Sequence, residues 1–165
     1  MTDTIREKII DELADLYTAF SFTSMTGTVG IYRGRSVFDA DDDPPPLVTI
    51  LPRVENNENS NYGMHEMTMP VDIICLAPLG SSNPSVLGEA VLGDLIKCAF
   101  GVQGVDKDGD IAKVGGMTTT YMDSMHYRSG GIDAYPDELG QEILRVGITV
   151  DIRYQTNAGN PYSNS

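Results

Sequence analysis

The sequence has few basic residues, and the shortage excludes several classes of protein. Its 165 residues include 24 Asp and Glu but only 11 Lys and Arg, for a net charge of −13. A general nucleic-acid binder is excluded, because binding to phosphates needs a cationic surface. Contact with an anionic membrane surface is disfavoured for the same reason.

Long apolar runs and cysteines are also scarce. No run approaches the ~20 apolar residues of a membrane-spanning helix. The first residues, MTDTIREKIIDE, carry charges where a signal peptide would be apolar. Cys75 and Cys98 are too few for a disulfide framework. We therefore expect a globular protein of the cytoplasm.

The spacing of apolar residues predicts two helices. The first covers 4–20 and begins with a capping box. The second has Asn83 as its cap and Gly101 as its stop. Gly88 and Gly93 interrupt the second helix at a cost of roughly 1 kcal/mol each, which predicts close packing there against the sheet or a partner.

Alternating and β-branched segments predict the strands. They lie at 28–33, 47–51, 66–76, 117–127 and 139–154. Between the first two strands, 39–46 combines like charges with three prolines and is predicted to be an exposed, extended loop. The Asn-rich stretch 55–63 is predicted to be a polar connection at the tip of a long hairpin. Pro70 predicts an edge strand or a bulge at its position, and an edge there would be open to pairing with a neighbour.

Together these elements predict an α+β fold, in which two helices pack on one face of a mostly antiparallel β-sheet. Residues 1–156 are predicted to form one domain. The polar residues 157–165 are predicted to form a flexible C-terminal tail.

The usual catalytic motifs do not occur. The sequence has no G-x-S-x-G, P-loop, dinucleotide fingerprint, H-E-x-x-H or C-x-x-C. Neither His65 nor His126 has a Cys, His or carboxylate cluster at metal-binding spacing. Each is therefore expected to lie at the surface or to pack against neighbouring side chains. Both cysteines fall on apolar faces, where a thiol behaves as a small hydrophobe. We expect neither an enzyme nor a cofactor or metal site.

Two acidic segments have alternative interpretations. Asp106–Asp110 resembles part of a calcium loop, but the twelfth position of such a loop would be Met117 instead of Glu, which favours a plain acidic turn. The second segment is either a solvated loop or a fixed negative surface that repels a polyanion or attracts a basic partner. Its carboxylates are the candidate interaction residues: Asp39, Asp41, Asp42 and Asp43.

Four segments resemble the small tail-terminator (tail-completion) proteins of long-tailed bacteriophages and prophages. They are IREKIIDELADL, YRGRSVFDADDDPPPLVTILP, MPVDIICLAP and VGITVDIRYQTNAGNPYS, and they span most of the chain. The ending T-x-x-x-x-P-Y, from Thr156 to Tyr162, is the most specific of them.

The resemblance implies an α+β subunit of a hexameric ring. Such a ring sits on the head-proximal end of the tail tube, stops tube growth and offers its other face to the neck. Its partners would be further copies of itself, the tail tube protein and the head–tail connector. DNA would pass through its channel without specific binding, and Asp39, Asp41, Asp42 and Asp43 are the candidate lining. The protein would assemble in the bacterial cytoplasm and belong to the virion.

Two other functions remain open from the sequence, and a metal-assisted hydrolase that uses Asp106, Asp108 and Asp110 is a third, less favoured one. A head–tail connector or another neck protein is also a small ring-former and shares much of this pattern. An acidic DNA mimic would occupy the DNA site of a nuclease or polymerase, which requires carboxylates at phosphate-like spacing on one surface. In this sequence the acids concentrate only at 39–43 and 106–110.

Overall fold

The computed structural model of the protein describes residues 3–39, 41–101, 121–136 and 142–163. In these ranges the chain forms two helices and six strands. Their order is α1 (Ile5–Ala19), β1 (Gly30–Arg33), β2 (Leu47–Pro52), β3 (Asn56–Asn61), β4 (Met64–Pro78), α2 (Pro84–Phe100), β5 (Ser124–Ala134) and β6 (Ile143–Asn157).

The strands form one sheet in the order β1-β2-β4-β6-β5. The long strands β4 and β6 pair antiparallel along their whole length, from Met64↔Asn157 to Pro78↔Ile143. On the other side of β4, β2 pairs with its second half and β3 with its first. Among the described strands, only β1 and β2 run parallel. The predicted α+β class with a mostly antiparallel sheet is confirmed.

Both helices pack on the same face of the sheet. Alternate residues of β4 and β6 are fully buried on that face, including Ile73 and Val150. They join one core with Leu13 of α1 and Leu95 of α2. Tyr17 links α1 to α2, because its buried hydroxyl donates a hydrogen bond to the carbonyl oxygen of Leu95 at 2.7 Å. The opposite face of the sheet, which we call the open face, carries no helix in the described residues.

The helix ends follow the capping residues in the sequence. Thr4 Oγ1 accepts a hydrogen bond from the Glu7 amide at 3.1 Å. Asn83 Oδ1 accepts from two amides of the first turn of α2. Gly101 ends that helix at φ 66°, a left-handed conformation that costs glycine little.

Two strands differ from the sequence prediction. The Asn-rich segment predicted as a connection contains β3, and only Tyr62 and Gly63 form the turn to β4. Asparagine has a low strand propensity, and here pairing with the long β4 overrides it. The predicted strand 117–127 overlaps only the start of β5, which runs on through Gly130 and Gly131 to Ala134; residues 117–120 lie outside the described ranges.

The prediction for Pro70 was wrong in part. β4 is an interior strand, so it offers no free edge there, and its register with β6 is regular at Pro70↔Asp151. On the other side, the partner changes from Pro52↔Val71 in β2 to Asn56↔Thr68 in β3. Proline is tolerated because it lies in the gap between those two strands, where its carbonyl accepts from the Arg53 amide at 2.8 Å.

Residues 157–163 of the predicted flexible tail make backbone contacts with the rest of the chain. β6 continues through Asn157, and the residues after it turn back. The Asn157 amide donates to the Ser163 carbonyl at 2.8 Å, and the Ile5 amide donates to the Pro161 carbonyl at 2.9 Å. Backbone hydrogen bonds therefore join the segment to β6 and to the start of α1.

Candidate interaction surfaces

The open face carries cross-strand pairs of opposite charge. Arg53 Nε donates to Asp72 of β4 at 2.7 Å, and Thr149 of β6 donates to the other oxygen of that carboxylate at 2.7 Å. Arg128 of β5 holds Asp151 of β6 with two contacts of 2.8 and 2.9 Å. Such pairs are partly solvated and each adds little to stability. Their main effect is to leave the centre of the face close to neutral.

Two shallow grooves lie on this face. The first, of about 440 Å³, runs beside the ion pair between Arg145 and Asp133, which are 2.7 Å apart. The groove is open at Gly147, which lies opposite Ile74 and has no side chain to fill it. Its charges are balanced, with two arginines and two aspartates among its lining residues.

The second groove, of about 550 Å³, is more acidic. Glu66, Asp123 and Glu58 line it, together with Arg153. Burial, and secondarily the charge of Glu66, raises the pKa of Asp123. Among the described residues, no group of three or more His, Cys, Asp or Glu side chains is arranged to hold a metal ion. The calcium-like segment Asp106–Asp110 lies outside the described ranges.

The predicted acidic loop is held by a cation between aromatic rings. The Arg35 guanidinium lies 4.9 Å from the centre of the Tyr32 ring and 5.0 Å from that of Phe38, within the range of cation–π attraction. It also donates to both oxygens of Asp43, at 3.2 and 2.6 Å. These hydrogen bonds lower the pKa of the Asp43 carboxyl.

The four candidate carboxylates therefore divide into two groups. Asp39, Asp41 and Asp42 are exposed, as predicted for this loop. Asp43 is buried, and its amide donates to the Asp39 carbonyl at 2.7 Å. The interpretation of Asp43 as a surface residue was wrong, because Arg35 draws its side chain inward and the loop folds around the pair.

The Arg35–Asp43 pair predicts a pH-dependent difference in stability. Because the folded state lowers the pKa of Asp43, its contribution is full above the ordinary Asp value of about 3.9 and is lost as the pH falls through the lowered value. Asp43→Asn should therefore melt at a lower temperature than the wild type at pH 7, and the gap should close towards pH 2. Thermal unfolding followed by circular dichroism at both pH values measures this. A gap that stays constant with pH would contradict it.

The cysteines and histidines have ordinary surroundings. Burial raises the pKa of Cys98 to about 12 and that of Cys75 further still, so both thiols remain protonated and unreactive. His65 Nδ1 lies 2.8 Å from Ser60 Oγ, and His126 Nε2 lies 3.1 Å from Ser124 Oγ. Ser60 is exposed and Ser124 is partly buried.

Comparison of the sequence with family models and with curated proteins finds no match. Within the described residues, no helix has the length and apolar character needed to cross a membrane.

The sequence predicts a hairpin tip at 55–63, but not the strand β3, which forms an arm with the beginning of β4. Its two-residue turn places both central residues at positive φ, with Tyr62 at 50° and Gly63 at 75°. Asn-Gly is the usual choice for such a turn, and the left-handed conformation costs a tyrosine roughly 1–2 kcal/mol. The Tyr62 side chain is 97% exposed. The turn signal Tyr62-Gly63, preceded by Asn61, lies inside the segment that the sequence predicts as a connection.

Proposed function

We propose that this chain is a structural subunit of a long bacteriophage tail and acts as a tail terminator. Copies assemble into a ring, hexameric in the resembling family, on the head-proximal end of the tail tube. The ring ends tube polymerisation and provides the docking face for the head–tail connector. The subunit is made in the bacterial cytoplasm, becomes part of the virion, and catalyses no reaction.

The observation that carries the proposal is the open face of the sheet. It extends along two strands of 15 residues each, roughly 45–50 Å, and neither helix covers it. Its central charges are paired within the face, so a neighbouring protein that covered it would not bury isolated charges, which are the costly ones. A large sheet surface whose central charges are paired, and which no helix covers in the described part of the chain, supports a subunit of an assembly over an enzyme.

The acidic loop supports a passive channel. Asp39, Asp41 and Asp42 project from a loop that Arg35 and Asp43 hold in shape. Carboxylates at a channel wall repel DNA phosphates, so the genome would slide through without binding. We assign the lining to these three residues and a supporting role to Asp43.

The combined variant Asp39→Asn, Asp41→Asn and Asp42→Asn tests this assignment. Asparagine keeps an oxygen at Asp39, which accepts from the Asp41 amide at 2.8 Å, so the loop should keep its fold. We expect the same oligomeric mass and nearly the same melting temperature as the wild type, by light scattering and calorimetry. Loss of assembly would identify the loop as a subunit interface instead of a channel wall.

A neck protein of the connector type would use the same surfaces, so a binding experiment is needed to distinguish it from a terminator. A terminator binds the end of purified tail tubes and stops their growth, whereas a connector binds the portal side. A DNA mimic receives less support, because Asp72, Asp133 and Asp151 are paired with arginines and cannot act as a row of free phosphates.

The test of the ring is the absolute mass in solution, measured by light scattering over a concentration series at moderate salt. A species six times the 17.9 kDa of the chain, with a central hole by electron microscopy, is the expected result. A strictly monomeric mass at every concentration would contradict the ring. A capture of a host nuclease or polymerase by that monomer would then favour the DNA mimic.

A further inference from the structure

One side of α2 points away from the sheet and into solvent. Five exposed residues lie along it, and we call them the outer face: Val86, Glu89, Ala90, Gly93 and Lys97. Their spacing of three and four residues places them on one side of the helix. Val86 is the one large apolar side chain of α2 that is mostly exposed, at 70%. Neither the sheet nor α1 covers this side.

Gly93 lies in the middle of the outer face, and the fold of the subunit does not explain it. A Cβ at this position would meet nothing within 4 Å, whereas a Cβ at Gly88 would lie 2.4 Å from a carbon of Ile132. Glycine is the least favourable residue in a helix interior after proline. Gly88 is accounted for by packing against β5. Gly93 instead leaves room for another backbone to approach from outside.

The charges on the outer face identify what approaches. Glu89 lies four residues before Gly93 and Lys97 lies four residues after it. The two are about 12 Å apart along the helix axis, too far for the contact that residues three or four apart can make. Neither side chain forms an ion pair within the described part of the chain. The same helix turned end for end would place a lysine at the level of Glu89 and a glutamate at the level of Lys97.

We infer that α2 of one copy packs against α2 of a second copy, antiparallel, with Gly93 of both at the crossing point. A two-fold axis between the two helices places each residue beside the one that is equally far from Gly93 in the opposite direction. Glu89 of each copy then pairs with Lys97 of the other, so the contact is self-complementary.

Apolar residues complete this contact. In the same arrangement Val86 lies beside Phe100 of the other copy, and Ala90 lies beside Ile96. Phe100 and Ile96 are half-buried at the edges of the outer face. Removing these side chains and Val86 from water favours association.

The net charge of the chain limits the strength of the pair. Two copies of −13 each repel one another, but the outer face carries one charge of each sign, and moderate salt screens the rest. The contact from Val86 to Phe100 is about 21 Å long, which is smaller than a standard interface of about 800 Å² per partner. We therefore expect a weak dimer, with a dissociation constant on the order of 0.1 mM.

The pair is distinct from the contact that builds the proposed ring. A two-fold contact closes after two copies, whereas a ring requires head-to-tail contacts between different surfaces. The inference therefore does not depend on the proposed function.

Charge reversal tests the pairing. Glu89→Lys alone sets two lysines against each other, and Lys97→Glu alone sets two glutamates against each other. Each should weaken self-association about tenfold, because two attractive contacts become repulsive. The double variant restores opposite charges and should associate as the wild type does. Sedimentation equilibrium in moderate salt, at up to about 1 mM protein or ten times the expected dissociation constant, measures the mass.

Net charge provides the control within this set. Glu89→Lys makes the chain less negative, Lys97→Glu makes it more negative, and the double variant keeps the charge of −13. If general repulsion alone governed association, Glu89→Lys would associate more strongly than the wild type, which is the opposite of our expectation. Thermal unfolding checks that every variant folds, since a glutamate near the C-terminal end of α2 is unfavourable for the helix.

Disulfide trapping gives an independent measurement. Gly93→Cys should form a disulfide-linked dimer under mild oxidation, because the two-fold axis brings the two copies of this position together. Ala90→Cys is the matched control on the same face, since its two copies would lie about 9 Å apart along the helices, beyond the Cα separation of about 7 Å that a disulfide can bridge. Cys75 and Cys98 are buried and do not compete. A denaturing gel without reductant shows the dimer whether or not the chain also forms a ring.

The expected result is a mass that doubles with concentration, from one copy to two or from one ring to two. Equal cross-linking of the two cysteine variants, or a double charge reversal that associates no better than the single variants, would overturn the inference. A ring that neither doubles nor cross-links through Gly93→Cys would overturn the inference and leave the proposed function in place. A dimer without a ring would do the reverse, and a monomeric mass at every concentration would contradict both.

Discussion

Replacing Asp94 with alanine is expected to lower the free energy of unfolding by about 2–4 kcal/mol. Asp94 is 5% exposed in α2. Its two oxygens accept from the amide and hydroxyl of Thr23, both at 3.0 Å, and from the amide and hydroxyl of Ser24, at 2.9 and 2.5 Å. Four donors depend on one carboxylate. Its removal leaves them without their acceptor, and water can replace it more readily at the exposed Thr23 than at the partly buried Ser24.

Chemical denaturation measures this loss, and two variants sharpen it. Asp94→Asn keeps one acceptor oxygen but points a donor at other donors, so it should also destabilise, though less than alanine. Glu89→Ala removes an exposed acid from the same helix and should change stability by no more than about 0.5 kcal/mol. Equal effects of Asp94→Ala and Glu89→Ala would show that the hydrogen bonds to the loop do not contribute.

The two glycines of α2 should respond to alanine in opposite directions. A Cβ at Gly88 would lie 2.4 and 2.5 Å from side-chain carbons of Ile132 and 3.3 Å from Leu144, whereas a Cβ at Gly93 meets nothing within 4 Å. Gly93→Ala should therefore stabilise the subunit by up to about 1 kcal/mol through helix propensity. Gly88→Ala should destabilise it by about 1–2 kcal/mol, because overpacking outweighs the same gain.

A double-mutant cycle checks the cause. Ile132→Val removes Cδ1, the atom nearest the new methyl group, so it should restore part of the stability lost in Gly88→Ala. Urea unfolding of the four proteins at low concentration gives the coupling. Additive effects would mean that the loss at Gly88 does not come from contact with Ile132. The sequence predicted close packing at both glycines; the structure confirms it within the subunit at Gly88 alone.

The predictions from sequence were most accurate where local chemistry decides the structure. Capping residues located both helices, and alternation located β4 and β6. Predictions were less accurate where pairing with a segment distant in the chain decides the structure. β3 is a strand because β4 extends past the end of β2 to pair with it. No propensity in its asparagines indicates that pairing.

Asp94 is a buried carboxylate whose position in the helix pattern indicates a hydrogen-bonded site. It lies on the inner stripe of α2, between Val91 and Leu95, where an acid is unexpected. A carboxylate on a buried stripe requires donors. The pattern therefore signals a hydrogen-bonded partner, but only the structure identifies Thr23 and Ser24, about 70 residues away.

The sequence by itself determined the acidic character of the chain, its helix boundaries, the faces of its longest strands and its α+β class. These depend on residue type and on spacing along the chain, which are local properties. The tertiary structure alone decided that Asp43 is buried against Arg35, that charges on the open face are paired across strands, and that Tyr62 is exposed at the turn between β3 and β4. Each of these depends on which distant segments fold together, because burial and ion pairing require contacts between residues that are far apart in the chain.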